Sequence, residues 1–183
     1  MPRAERQPLY YCHGFASAIP ADWSESPKIS AVAAFCRATG RDFRPQNVDY
    51  REAERRCDEI LDDIEADVER VVFCGASMGG WFSRILQLKL LEARPGLRVD
   101  AVVFNPAFNL AEFSHYLEGP QVNYVTGEHF EFTPDDGRAL VQLEESVEYR
   151  GAAPFWVYVD RRRWRITSPV VGTAAGSDRM TGP

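Results

Sequence analysis

Ten residues, Val71-Val72-Phe73-Cys74-Gly75-Ala76-Ser77-Met78-Gly79-Gly80, constrain this chain more than any others. An apolar run of strand-forming residues stops at Gly75, and a helical pattern from Trp81 to Glu92 starts just past Gly80. A strand that turns into a helix through Gly-x-Ser-x-Gly is the nucleophile-elbow pattern. The spacing has a steric cause. A serine hydroxyl reaches a carbonyl only from a tight turn, where side chains two positions to either side would collide. Because the start of a helix leaves backbone N–H groups free, the Met78 amide is a candidate donor to a developing oxyanion. No Lys-Ser or Lys-Thr follows the glycines, so this is not a phosphate loop, and the Gly-x-Gly-x-x-Gly spacing of dinucleotide sites is absent. The alternative is an ordinary glycine-rich turn of a parallel α/β protein.

Upstream, Gln7 to Cys12 reads as a short strand running straight into His13-Gly14-Phe15. Gly14 lets the backbone approach a substrate and leaves the next N–H, that of Phe15, pointing at it. A plain turn with a surface histidine is the competing reading. Pro27 opens a helix to about Ala38, Phe43 to Val48 is a short strand, and Arg51 to Val68 is a charged helix. Val99 to Phe104 has the near-continuous apolarity of a strand buried on both faces. Residues 108–149 predict a short helix, an irregular loop around Thr126-Gly127-Glu128, and a helix from Pro134 to Glu145. Phe155 to Val159 is the last convincing strand. Strands alternating with helices imply an α/β fold, a mainly parallel sheet flanked by helices. Right-handed crossovers then bring residues 12–15, 74–77 and 159–160 to one edge of that sheet, where such proteins bind ligands.

At 183 residues the chain suits one domain with a sizeable core. A net charge of −6 argues against a nucleic-acid partner. No apolar run reaches membrane-spanning length, so no membrane association is expected. The polar opening Met-Pro-Arg-Ala-Glu-Arg-Gln-Pro lacks an apolar signal core, which favours the cytoplasm. Cys12, Cys36, Cys57 and Cys74 form no Cys-x-x-Cys pair and read as buried free thiols; no metal and no cofactor is expected.

With these pieces placed, the chain resembles the YqiA/YcfP-type esterases of the α/β-hydrolase superfamily. The resemblance rests on Leu9-Tyr10-Tyr11-Cys12-His13-Gly14-Phe15, Ser26-Pro27-Lys28, and Gly75 to Trp81. It continues through Val102-Val103-Phe104-Asn105-Pro106-Ala107, Tyr116-Leu117-Glu118-Gly119 and Tyr124-Val125-Thr126-Gly127-Glu128. It implies an α/β-hydrolase fold and hydrolysis of a small-molecule acyl ester or thioester through an acyl-enzyme. Ser77 matches the nucleophile, and the backbone N–H groups of Phe15 and Met78 match the oxyanion donors.

The C-terminal end departs from that pattern. The family's aspartate position falls near Arg163, leaving Asp160 as an approximate replacement, and no histidine follows His129. Residues 161–183 hold five arginines against one acid, a balance of +4, and the remainder holds 16 basic against 26 acidic residues, or −10. The expected organisation is therefore a hydrolase domain over residues 7–160, incomplete at its C-terminal end, and a basic disordered tail over 161–183. The final strand and helices are expected to be missing, through a frame shift or truncation; a natural tail is the alternative. Three functional readings follow. They are a serine esterase impaired by the missing histidine, a non-catalytic protein binding a ligand near Phe15 and Trp81, and an interaction protein using Arg161 to Arg165.

Overall fold

The computed structural model describes residues 7–147 and 155–158. In chain order the elements are β1 (Leu9–Cys12), α1 (Pro27–Thr39), β2 (Phe43–Gln46), α2 (Ala53–Asp62), β3 (Arg70–Ala76), α3 (Met78–Ala93) and β4 (Arg98–Phe104). There follow α4 (Leu110–Phe113), β5 (Gly119–Val122), β6 (His129–Phe132), α5 (Pro134–Glu145) and β7 (Phe155–Tyr158). Five strands make one parallel sheet in the order β2-β1-β3-β4-β7, and β5 and β6 form a separate antiparallel hairpin. This is an α/β architecture consistent with an α/β-hydrolase fold.

Alternation along the strands divides the apolar residues between the two sheet faces. Tyr10, Cys12, Val71, Phe73 and Val99 join the larger core with Cys57 and Ile60 of α2 and with α3, while Leu9, Tyr11, Val72 and Cys74 pack with Ile29 and Cys36 of α1. Helix α1 has clear local causes: Ser26 caps its first turn, Pro27 opens it, and Gly40 at φ 67° ends it. Helix α3 is buried almost all round from Met78 to Leu88, including Arg84 and Gln87. The two side chains engage internal partners. Arg84 donates to Gln87 Oε1, Gln87 Nε2 donates to Val99 O at 2.9 Å, and the guanidinium lies 4.3 Å from the Phe155 ring centroid.

Three sequence expectations need correction. The helix expected over 51–68 is a 3-10 turn, Tyr50–Glu52, followed by the shorter α2. Ile64 and Val68 are buried as their periodicity implied. Even so, the carbonyls of Ile64, Glu65 and Ala66 accept from the Arg94 guanidinium at 3.2, 3.0 and 3.3 Å rather than from a continued helix. Helix α3 begins at Met78, three residues before Trp81, so Gly79 and Gly80 belong to its first turn. The irregular loop around Thr126 is the turn of the β5–β6 hairpin. Val159, Asp160 and the whole of 161–183 lie outside the described residues, and with them the expected domain boundary and arginine cluster. All four cysteines are buried free thiols, and burial pushes Cys12, Cys57 and Cys74 up to about 12. No helix among the described residues is long and apolar enough to cross a membrane.

Candidate active site

Strand register brings the candidate residues together. Cys12 lies opposite Gly75, and Gly75 opposite Val103, so the loops after β1, β3 and β4 leave the same edge of the sheet. The two elbow glycines are then required by contact rather than by flexibility. A Cβ on Gly75 would sit 2.2 Å from the Gly79 carbonyl oxygen, and one on Gly79 would sit 2.1 Å from that of Cys12. The end of β3, the first turn of α3 and the end of β1 therefore touch backbone to backbone.

Ser77 occupies the bend between them at φ 55°, ψ −126°, with its residue exposed. A non-glycine residue pays on the order of 1–3 kcal/mol for such a conformation, so surrounding bonds must impose it. They are on hand. Ser77 N–H donates to Phe104 O at 3.0 Å, and Ser77 O accepts from Gly80, Trp81 and Ala107 N–H at 2.9, 3.2 and 3.2 Å. Asn105-Pro106-Ala107 thus wraps the elbow, with Asn105 itself at φ 42° and its N–H donating to Tyr158 O at 2.8 Å. Met78, as first residue of α3, has an N–H with no partner inside the helix.

Across from the elbow runs the loop that begins at His13. A Cβ built on Gly14 would lie 3.6 Å from Ser77 Cβ, which puts the Gly14 backbone beside the serine. Phe15 follows, its ring packed edge-on against Phe130 and Phe132. His13 is not a surface residue; it is 5% exposed. Its Nε2 accepts from Val48 N–H at 3.0 Å, which fixes the proton on Nδ1, and Nδ1–H donates to Gly14 O at 2.7 Å. Its carbonyl accepts from Tyr50 Oη–H at 2.5 Å. Burial lowers the imidazole pKa, outweighing the bond to Gly14 O that raises it, so the ring is a neutral strut and not a base for Ser77.

A family model describing the uncharacterised protein family UPF0227 matches residues 8–163. The chain belongs to that family. UPF0227 is the YqiA/YcfP-type family that the sequence motifs pointed to. A search of curated proteins finds no match.

In this UPF0227 member the Gly14 backbone lies beside Ser77, with Phe15 and Met78 next to them along the chain, whereas Asp160 lies outside the described residues. His115 and His129 are exposed, in the turn after α4 and at the start of β6. Trp81 does not line a ligand cleft: it is fully buried in the core beside Phe82. The aromatic residues Phe130 and Phe132 also pack inward, on Phe15. A cleft of about 430 Å³ does flank the site, between Phe15–Ile19, Asn47–Arg51 and the hairpin turn. Its walls mix apolar surface from Phe15, Ile19 and Phe130 with the polar and charged side chains of Asp49, Arg51, Arg55, Arg56, Asn123 and Glu128. Neither Ser77 nor Met78 lines it; it shares with the elbow only the loop that carries His13 and Phe15. Among the described residues no group of three His, Cys, Asp or Glu side chains could hold a metal ion.

Sequence reading missed two residues that shape the site. Tyr50 holds the His13 carbonyl, and Asn123 bonds the loop at Ser17. The first carried no signal beyond an aromatic residue in a polar stretch. For Asn123 there was one: an asparagine four residues before a glycine, between alternating apolar positions, is hairpin-turn chemistry.

Proposed function

We propose that this chain hydrolyses short-chain carboxylic esters or thioesters in the cytoplasm through an acyl-enzyme on Ser77. In this reading Ser77 Oγ attacks the acyl carbonyl, and the Phe15 and Met78 amides hold the oxyanion. The alcohol or thiol then departs with a proton, and water releases the acid. One observation carries it: an exposed serine held at φ 55° on a strand-to-helix bend, with the Gly14 backbone alongside. Asp160 is proposed as the acidic partner of the base.

The base itself is where this chain is weak. His13 spends both ring nitrogens on Gly14 and Val48, and the only other histidines are His115 and His129. An oxyanion hole without its base retains roughly 10³–10⁴-fold catalysis over water, far below an intact triad. The proposed activity of the 183-residue chain is accordingly low.

A fluorophosphonate probe with the full chain tests the reading. Slow labelling at Ser77, abolished by Ser77→Ala together with hydrolysis of a short-chain p-nitrophenyl ester, supports it. A wild-type chain that neither labels nor hydrolyses rejects it. The engaged His13 ring then favours the second reading, a non-catalytic protein that binds a small ligand at the Phe15 cleft.

A further inference from the structure

The loop facing Ser77 is tied to the β5–β6 hairpin by its carbonyls. Asn123 Nδ2 donates to Ser17 O at 2.8 Å, across 106 positions of sequence. Beside it, Tyr124 N–H donates to Ala16 O at 3.1 Å. The rest of the Asn123 amide is already fixed, because Oδ1 accepts from Val125 and Thr126 N–H at 3.0 and 3.1 Å. Its backbone closes the turn, donating to Glu128 O at 2.8 Å and accepting from Gly127 N–H at 2.7 Å. Asn123 is therefore a rigid donor aimed at the loop.

What it grips needs gripping. Ala16 stands at φ 48°, a conformation that persists in a non-glycine residue only when its surroundings over-determine it. One residue earlier, the Phe15 ring is clasped by the same hairpin, with centroids 5.9 Å from Phe130 and 5.0 Å from Phe132. Ring and carbonyls are thus held on both sides of the amide proposed to meet the oxyanion.

We infer that Asn123 is a positioning residue, a latch that orients the loop so that the Phe15 N–H faces the acyl carbonyl at Ser77. This rests on the acyl-transfer reading above. An oxyanion donor contributes about 10²–10³-fold to turnover, and displacement by a fraction of an ångström forfeits part of that.

The full chain, Asn123→Ala and Asn123→Asp are compared by ester kinetics, probe labelling and amide hydrogen exchange. Aspartate can still accept from Val125 and Thr126 N–H, so the turn survives, but it has no donor for Ser17 O. Both variants are expected to exchange about tenfold faster at residues 15–18, with α3 unchanged. Their kcat and labelling rate are expected to fall about 10–100-fold, with KM moving less than twofold. Only Asn123→Ala loosens the amides of Val125 and Thr126. The latch is overturned if Asn123→Asp matches wild type in exchange at 15–18 or in kcat, or if a raised KM accounts for the whole loss. Should wild type show no turnover and no labelling, the acyl-transfer reading fails separately. Faster exchange at 15–18 in Asn123→Asp then still establishes the latch, and unchanged exchange refutes it.

Discussion

Two segments face each other across the candidate site and are held by opposite means. The elbow, residues 75–80, is fixed by backbone packed against backbone: glycines that admit the ends of β1 and β3 at contact distance, helix bonds that start at the Ser77 carbonyl, and bonds to Phe104 and Ala107. The loop from His13 to Ile19 has almost no internal support. It hangs on Val48 and Tyr50 through His13, on Asn47 through Ile19 N–H at 2.8 Å, and on Asn123 and Tyr124 of the hairpin. A site made of one half packed backbone to backbone and one half hung on side-chain and hairpin bonds should fail in two different ways. Damage to the elbow should remove the fold, and damage to the loop's supports should remove alignment at smaller cost in stability.

Gly79→Ala is the severest test of the elbow. Its methyl would meet the Cys12 and His13 carbonyl oxygens at 2.1 and 2.5 Å, backbone that cannot yield cheaply. A loss on the order of 3 kcal/mol in urea unfolding is expected, with poor expression; a change below about 1 kcal/mol would show that the elbow can open. His13→Ala comes next on the loop side. It strands Val48 N–H and opens a small cavity, for about 2 kcal/mol, while leaving the elbow folded.

His13 also predicts a pH dependence. Its folded-state pKa lies below the ordinary value of about 6.5, so the unfolded chain takes up the proton first as pH falls. Its contribution to stability is complete above about 6.5 and is lost as pH drops through the folded-state value. Denaturant midpoints measured from pH 7.5 down to 5 should fall for wild type and flatten in His13→Ala; parallel slopes would remove the neutral-strut assignment.

Tyr50→Phe should have a milder effect. Removing the hydroxyl leaves the buried His13 carbonyl without that donor, at about 1–2 kcal/mol. If the loop is held as described, hydrogen exchange rises at residues 14–18 and not in β3. Smallest is Ser77→Gly, which relieves the positive φ and should raise stability by about 1 kcal/mol while abolishing labelling. A destabilised Ser77→Gly chain would mean that the serine conformation carries no strain.

Much of the architecture could be read directly. Apolar runs at 71–74 and 99–104 and Pro27 at the start of α1 located their elements because the signals are local: strand apolarity, and a proline whose fixed φ suits the first turn. Where the reading went astray, the deciding partner lay far along the chain. The helix expected to reach Val68 stops at Asp62 while Arg94 collects the carbonyls beyond it, and Trp81, expected beside a ligand cleft, is buried in the core.

By itself the sequence determined that Ser77 sits on a strand-to-helix bend, because glycine spacing is a steric requirement written into consecutive residues. Only the tertiary structure decided what stands opposite. It made His13 a neutral strut rather than a base, took Trp81 out of the cleft, and set Asn123 against Ser17. Each of those outcomes depends on hydrogen bonds or packing between residues separated by tens of positions, and no local pattern encodes where such partners meet.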